Sequence, residues 1–512
     1  MRIYTGYKLK KHVDTTLKSN YKKRYIFEQL HAYISGEDSS RIACLFGLRR
    51  TGKTVLMLQE IEYIGSYQDT MLLRCEDGDD MWEVREAVDK ELERNPNLKY
   101  LFVDEATKAN RFVNTCSFFA DDYAAGGLKV VLAGTDSLGF ALAESRELYD
   151  RIDMLHTTYI SFPEFNYLLG KGISDYIAYG GTLTDGVKNV FYNKDNAAKY
   201  TNSAIIENIF HSLKNWNNGY NCGMDVLGDI VDKNDFPSFV NKVLEYHNRT
   251  FLAKVINERF SSHDIGSLSD LMTRHGIANP APLQENEVAE KVRIFLNIRE
   301  NHFTYATDEA VNAIVSYLKL ADVLYEIPQN ANVGTSKDTE YLFTQPGLRY
   351  CQATALADAL IASSQFDNYS EQQKLAILEK LDGDIRGQIL EDVVFYHLLR
   401  ATEGTPYKVS KYRSFDNKEI DVLVTDTESA KTVAIEVKLS SVSADRQRAH
   451  LKDAKLCGEI ESKLGSQICE RIVLYMGEDT EIEGVKYRNV EQFLLKFCDL
   501  LKDYENNSKD RI

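Results

Sequence analysis

Gly47-Leu48-Arg49-Arg50-Thr51-Gly52-Lys53-Thr54 fits the pattern G-x-x-x-x-G-K-[ST] at every fixed position. Those residue types suit one task, gripping a polyphosphate. Backbone N–H groups of a glycine-rich turn, followed at once by a helix N-terminus, converge on a single anionic point. Lys53 then reaches the β- and γ-phosphates, and Thr54 ligates Mg²⁺. About fifty residues after Lys53, the apolar run Tyr100-Leu101-Phe102-Val103 ends in Asp104-Glu105. Beside such a loop, Asp104 is placed to hold the Mg²⁺ shell, and Glu105 to orient and deprotonate an attacking water. ATP and Mg²⁺ are the cofactors this chemistry calls for.

A second constellation lies near the C-terminus: Glu391 in a helix, Asp421 in the strand Glu419–Val424, and Glu436 with Lys438 in the strand Val433–Lys438. Strand alternation puts Glu436 and Lys438 on one face. If the two strands form a hairpin turning near Asp426 to Lys431, Asp421 comes to lie beside Glu436. Carboxylates converging next to a lysine can bind one or two Mg²⁺ ions, with Asp421 and Glu436 as ligands. The Lys438 ammonium then positions the water for phosphodiester hydrolysis.

These residues need particular elements to hold them. Ile42–Phe46 reads as the strand before the phosphate loop, and Val55-Leu56-Met57-Leu58 begins the helix after it. Met71–Cys75 reads as a second strand, Asp80 to Leu92 as a helix, and Leu128–Gly134 as a strand ending in Thr135-Asp136-Ser137. Met154–Ile160 is the expected fifth strand of a parallel α/β sheet. Arg151, just before it, is either a surface residue or an arginine finger that neutralises charge on the γ-phosphoryl group. From about Asp185 to Glu300 the pattern is helical, with apolar spacing in Ala204–Phe210 and Phe239–Leu244. A helix over Asp308–Leu320, followed by strands Val323–Ile327 and Tyr341–Thr344, suits a winged-helix module without a basic recognition helix.

At 512 residues the chain is too long for one core, and 44% hydrophobic with 27% charged residues is ordinary for globular domains. A net charge of −16 disfavours non-specific coating of nucleic acid. Two local basic clusters stand out, Lys8 to Arg24 and Arg446 to Lys455, and both read as solvated helix faces. Eight cysteines occur without a C-x-x-C pair, which suits reduced core thiols rather than zinc. With no membrane-length apolar run or signal core, a cytoplasmic location and no membrane partner are expected.

The arginine-bearing phosphate loop, Asp104-Glu105, Gly134-Thr135-Asp136-Ser137, Arg151 and Ser161-Phe162-Pro163-Glu164-Phe165 together resemble an AAA-superfamily group of prokaryotic, archaeal-type ATP-binding proteins. That group is related to the signal-transducing (STAND) ATPases. The resemblance implies a γ-phosphate sensor at Thr135-Asp136 and a finger at Arg151, although the usual serines and small-Gly-Arg triplet are replaced. Gly180-Gly181 resembles the group's Gly-Gly turn, without the usual following proline. Asp421, Glu436, Lys438 and Glu391 resemble the PD-(D/E)xK restriction-endonuclease-like core that such ATPases often carry.

The expected class is therefore an α/β multidomain chain. Its parts are an N-terminal basic segment (1–35), an AAA-like P-loop NTPase parallel sheet (36–170), a helical domain (171–300), a winged-helix module (301–375) and a nuclease-like α/β domain (376–505). The expected function is an ATP-hydrolysing switch coupled to a Mg²⁺-dependent nuclease-like domain, active in defence or nucleic-acid maintenance. Its rival is a regulatory or scaffold ATPase whose idle nuclease-like domain holds a protein partner. A ring-forming DNA-remodelling motor is the third. Expected partners are ATP or ADP, nucleic acid or a protein at the C-terminal domain, and further copies of the chain.

Overall fold

Apolar runs that contact protein on both faces favour parallel pairing, and here they build the first sheet. The computed structural model describes residues 1–19, 21–37, 40–145, 147–184, 188–209, 236–260, 267–277, 285–300, 307–334, 339–416 and 418–497. The sheet comprises β1 (Arg2–Thr5), β2 (Ile42–Phe46), β3 (Thr70–Arg74), β4 (Tyr100–Asp104), β5 (Lys129–Gly134) and β6 (Ile152–His156), in the order β1-β3-β4-β5-β2-β6. All pairs are parallel except β1, which runs antiparallel to β3. Thus β5 lies between the strand feeding the phosphate loop and the strand ending in Asp104. Ala43, Leu45, Phe102 and Val131 face the helices Gly6–Thr16, Phe27–Ser35 and Lys53–Ile64. Cys44, Leu101, Val103 and Leu132 face the opposite layer.

The sixth strand ends earlier than the run Met154–Ile160 suggests. After His156 the chain turns toward the phosphate loop, where Thr158 Oγ1 accepts the Leu48 N–H at 3.0 Å. Ser161 then caps the helix Phe162–Leu169.

In the middle of the chain, the helix Phe236–Glu258 contains the expected Phe239–Leu244 stretch, and Asp308–Leu320 is a helix over its full expected length. Phe210, the end of the other apolar stretch, lies outside the described residues. Then come β7 (Leu324–Glu326), β8 (Asn332–Gly334) and β9 (Tyr341–Phe343). β7 and β9 pair antiparallel as a two-stranded sheet, while β8 leaves them to pair parallel with β10 (Tyr407–Arg413).

β10 belongs to a mixed seven-stranded sheet with β11 (Glu419–Asp426), β12 (Lys431–Val437), β13 (Gln467–Tyr475), β14 (Thr480–Ile482) and β15 (Val485–Asn489), ordered β14-β15-β13-β12-β11-β10-β8. The helix Glu371–Ala401, started by a Ser370/Gln373 capping box, packs Ile389, Val394 and Leu398 against Val422, Ile435 and Leu474. Ile460 of the helix Ala454–Leu464 joins Leu423, Ala434 and Val473 on the other face.

No described helix is long and apolar enough to cross a membrane. Cys44, Cys75, Cys116, Cys351 and Cys457 are buried free thiols and Cys469 is exposed, whereas Cys222 and Cys498 lie outside the described residues.

Candidate functional site

Gly47 has φ of 136°, and a Cβ there would stand 2.6 Å from Thr158 Oγ1, so only glycine permits the loop's close turn over β6. Gly52 (φ 92°) precedes the helix that begins at Lys53. The Lys53 ammonium folds onto the loop itself, donating to Gly47 O at 2.8 Å and Leu48 O at 2.7 Å. Burial lowers its pKa to about 8, against the opposing pull of Glu105 and Asp104. Thr54 Oγ1 donates to Asp104 Oδ2 at 3.1 Å, so the hydroxyl and carboxylate are already side by side. Burial, then the neighbouring Glu105, raises Asp104 to about 6, while Arg74 at 3.8 Å works the other way. Glu105 takes the left-handed conformation at φ 56°, and its buried Oε2 has no hydrogen-bond partner among the described residues. Thr54, Asp104 and this open oxygen fit a hydrated Mg²⁺ beside a triphosphate.

The loop is held from behind by a residue that sequence patterning assigned to a solvated face. Arg24 is buried, and forks onto Glu164 with two bonds of 2.9 Å. It also donates to Thr51 O (2.8 Å) and Thr157 O (2.7 Å), joining the N-terminal segment, the phosphate loop and the Pro163-Glu164-Phe165 element. On the outer side, Leu183 N–H donates to Arg50 O at 3.2 Å and Tyr200 Oη to Arg49 O at 3.3 Å. Gly181 (φ 107°) lies against Gln345, whose Nε2 donates to Gly181 O at 3.0 Å.

Thr135 and Asp136 already have protein partners. Asp136 Oδ1 accepts the Gly139 N–H at 3.1 Å, and Thr135 exchanges bonds with Asn208, whose Nδ2 donates to Thr135 O at 3.0 Å. Arg151 precedes β6, and its carbonyl accepts the Ile42 N–H at 3.0 Å. This puts it at the strand ends opposite the phosphate loop, five residues of β2 away, roughly 17 Å. Its guanidinium pairs with Asp121 and donates to Glu147 O at 2.6 Å. A γ-phosphate contact from Arg151 would therefore need a second chain.

At the C-terminal constellation, the β11–β12 ladder pairs Val422 with Ile435 and Asp426 with Lys431, so the next step sets Asp421 opposite Glu436. Lys438 Nζ sits on both carboxylates, 3.2 Å from Asp421 Oδ2 and 2.7 Å from Glu436 Oε2. Val437 N–H also donates to Asp421 Oδ2 at 2.7 Å. Burial pushes Asp421 upward, but Lys438 and Arg259 outweigh it and hold the carboxyl below its ordinary value. Burial and Asp421 raise Glu436. The Glu436 Oε1 atom is buried without a hydrogen bond among the described residues, with His450 Nδ1 3.6 Å away. Two adjacent carboxylates fit a divalent ion that keeps several waters in place of the Lys438 and His450 contacts. Among the described residues, no group of three or more His, Cys, Asp or Glu stands ready to hold a metal. Glu391 stands apart from this pair in its bonding, for it is ion-paired with Arg259. Arg448 and Lys452 of the second basic cluster pair with Glu483.

A partly buried polar path connects the two regions, and sequence patterning gave no sign of it. Thr158 Oγ1, which holds the Leu48 amide, lies 3.3 Å from His156 Nε2, and His156 Nδ1 lies 3.5 Å from Asp322 Oδ2. Asp322, in the turn before β7, neighbours Arg400 and Tyr396 of the long C-terminal helix.

The family model described as an AAA domain matches residues 39–166, which span the loop, the Asp104-Glu105 strand end, Arg151 and Glu164. Residues 39–166 form an AAA domain. It supplies a P-loop ATPase-type nucleotide site. Residues 386–490, containing Glu391, Asp421, Glu436 and Lys438, match a domain of unknown function, DUF4143. No curated protein matches the chain. Among solved structures, the chain is similar to S. cerevisiae Hsp104 in an ADP complex, at 12% identity and a TM-score of 0.25, with 73% of this chain and 50% of that one covered. It therefore spans half the length of Hsp104. It is also similar to the Aeropyrum pernix Orc1 protein in complex with DNA, at 13% identity, coverage of 67% and 94%, and a TM-score of 0.22. Cdc6p from Pyrobaculum aerophilum gives 13% identity, coverage of 68% and 98%, and a TM-score of 0.25. Likeness at these scores carries no residue correspondence.

Proposed function

We propose that the chain is an ATP-hydrolysing switch whose nucleotide state governs a C-terminal, Mg²⁺-dependent nuclease-like domain. The observation that carries this reading is the polar path from the Leu48 amide through Thr158 and His156 to Asp322, which ends beside the helix bearing Glu391. On this reading, Lys53 leaves the loop carbonyls for the β- and γ-phosphates, while Thr54 and Asp104 hold Mg²⁺. Bound Mg²⁺ supplies charge neutralisation at the phosphates. Glu105 orients the attacking water and takes its proton. Arg151 serves the γ-phosphate of a neighbouring copy. The hairpin of β7 and β9 with the helix Asp308–Leu320 acts as a winged-helix module between the two sites. The divisions expected near residues 170, 300 and 375 are kept, with residues 1–35 joined to the AAA-type sheet through β1 and its two helices and β8 joined to the C-terminal sheet.

At the C-terminal site, Asp421 and Glu436 would hold a divalent ion, whose role is Lewis-acid activation of a phosphodiester. Lys438 orients the water, and Glu391 is the accessory carboxylate. Incubating the chain with Mg²⁺ or Mn²⁺, with and without ATP, against DNA and RNA forms tests the pairing. Asp421→Ala and Lys438→Ala should abolish cleavage while ATPase activity stays within about twofold. Cleavage surviving both changes would overturn the assignment.

One observation favours a second reading, a scaffold ATPase with an idle C-terminal domain that holds a protein partner. Glu391 is already neutralised by Arg259. Absence of cleavage across every substrate, with Arg259 also removed, would select it.

A further inference from the structure

The segment Gly387-Gln388-Ile389-Leu390-Glu391 forms a socket for one guanidinium. Arg259 follows the helix Phe236–Glu258, is buried, and donates from Nε to Gln388 Oε1 at 3.3 Å while pairing with Glu391. Gly387 supplies the room: a Cβ there would lie 2.7 Å from Arg259 Nη1, with the guanidinium as its one close neighbour. Glu391 and Asp421 line the same small cleft, together with Lys254, Glu258, Glu340 and Glu419. Around its rim the helix end is fastened by further ion pairs. Glu258 pairs with Arg413, and Lys254 lies 3.9 Å from both Glu258 and Glu340.

The helix that Arg259 follows also shares a core with the phosphate loop. Its first half, including Phe236, Val240 and Val243, packs in one cluster with Leu48 of the phosphate loop. Its second half, with Leu252, Val255 and Ile256, packs in the cluster that contains Ile385 and Ile389 of the C-terminal helix. At 23 residues it is a rod of about 34 Å with one end in each cluster.

We infer that Arg259 is an internal plug: its guanidinium fills the cation position beside Glu391, and the C-terminal site takes a divalent ion freely only when the Phe236–Glu258 rod withdraws it. The plug rests on the proposed metal role of Asp421 and Glu436. It reconciles an intact set of acids with a guanidinium already seated on Glu391. A guanidinium held by a carboxylate and an amide oxygen is a good stand-in for a cation, because it fixes charge and direction together.

The test is calorimetric titration of Mn²⁺ into the full chain, for the natural sequence, Arg259→Ala and Gly387→Ala, each with and without Asp421→Asn. The Asp421-dependent heat isolates this site from the phosphate loop. Gly387→Ala pushes the guanidinium out by a single methyl, and alanine suits a helix interior better than glycine, so folding is preserved. Both changes should tighten Asp421-dependent Mn²⁺ binding about tenfold or more, as expected if the open form is a minor population. Equal Asp421-dependent affinity in all three chains overturns the plug and leaves the metal site standing. Absence of any Asp421-dependent heat in all three overturns both.

Discussion

His156 Nδ1 and Asp322 Oδ2 meet at 3.5 Å, an ion pair only when the imidazole carries a proton. Burial lowers the imidazole to about 4 and raises the carboxyl to about 7, so neither charge is favoured where they touch. A contact of this kind transmits position more than electrostatic force.

Asp322→Asn should therefore keep the shape of the contact and remove a buried charge. Because the folded pKa of Asp322 lies above its unfolded value, the native state binds the extra proton between about 4 and 7 and loses stability as pH rises through that window. The variant should be more stable than the natural chain above about pH 7, with the advantage fading toward about pH 4. Thermal melts across that range check it, and a pH-independent difference would contradict it.

Nucleotide affinity should have a plateau bounded by two groups. Mg²⁺ binding favours ionised Asp104, so MgATP affinity rises as pH climbs through about 6. Phosphate binding favours protonated Lys53, so affinity falls above about 8, by up to tenfold per pH unit. Isothermal titration at several pH values in buffers of different ionisation enthalpy reads both the affinity and the protons exchanged. An optimum outside the window from 6 to 8 would refute the assignment.

Lys53→Ala should abolish measurable ATP binding, whereas Glu105→Gln should bind ATP normally and hydrolyse it roughly 10²-fold or more slowly. The split separates gripping from water activation. Equal losses of affinity in the two variants would mean that Glu105, with its open Oε2, does not act on water.

Arg24→Ala leaves Glu164 buried without its charge partner and removes the clamp on Thr51 and Thr157. Breaking one side of a buried pair costs about 3–5 kcal/mol. Chemical denaturation should show a loss of that size, and Arg24→Lys should recover little because it lacks the fork. A loss under about 1 kcal/mol would show that the pair is only a surface-type contact.

The phosphate loop was legible because its chemistry is local: eight consecutive residues, a strand before and a helix after. The Asp421–Glu436 juxtaposition was also legible, since a turn between Asp426 and Lys431 fixes every partner along an antiparallel ladder. The roles of Arg24 and Arg259 were not. Arg24 finds Glu164 across 140 residues and Arg259 finds Gln388 across 129, and no periodicity encodes such meetings. Arg24 sits among lysines, so its neighbours suggest solvent. Arg259 follows an amphipathic helix as an ordinary basic end would. The early end of β6 was hidden for a related reason. Thr157 and Thr158 have strong strand propensity, yet their hydroxyls serve Phe46 and the Leu48 amide instead of extending the sheet. Asp104 and Glu105 share one strand end but differ in backbone conformation, which adjacent sequence letters do not reveal.

Three residues, Asn332–Gly334, cover the outer flank of Tyr407–Arg413. A fragment starting at Glu371 would lack that cover and present bare N–H and C=O groups, a template for self-association. During synthesis the covering piece leaves the ribosome long before its partner, and must wait for it. The C-terminal domain is therefore not a detachable cassette, and grafting it onto another ATPase would require carrying this short ribbon along.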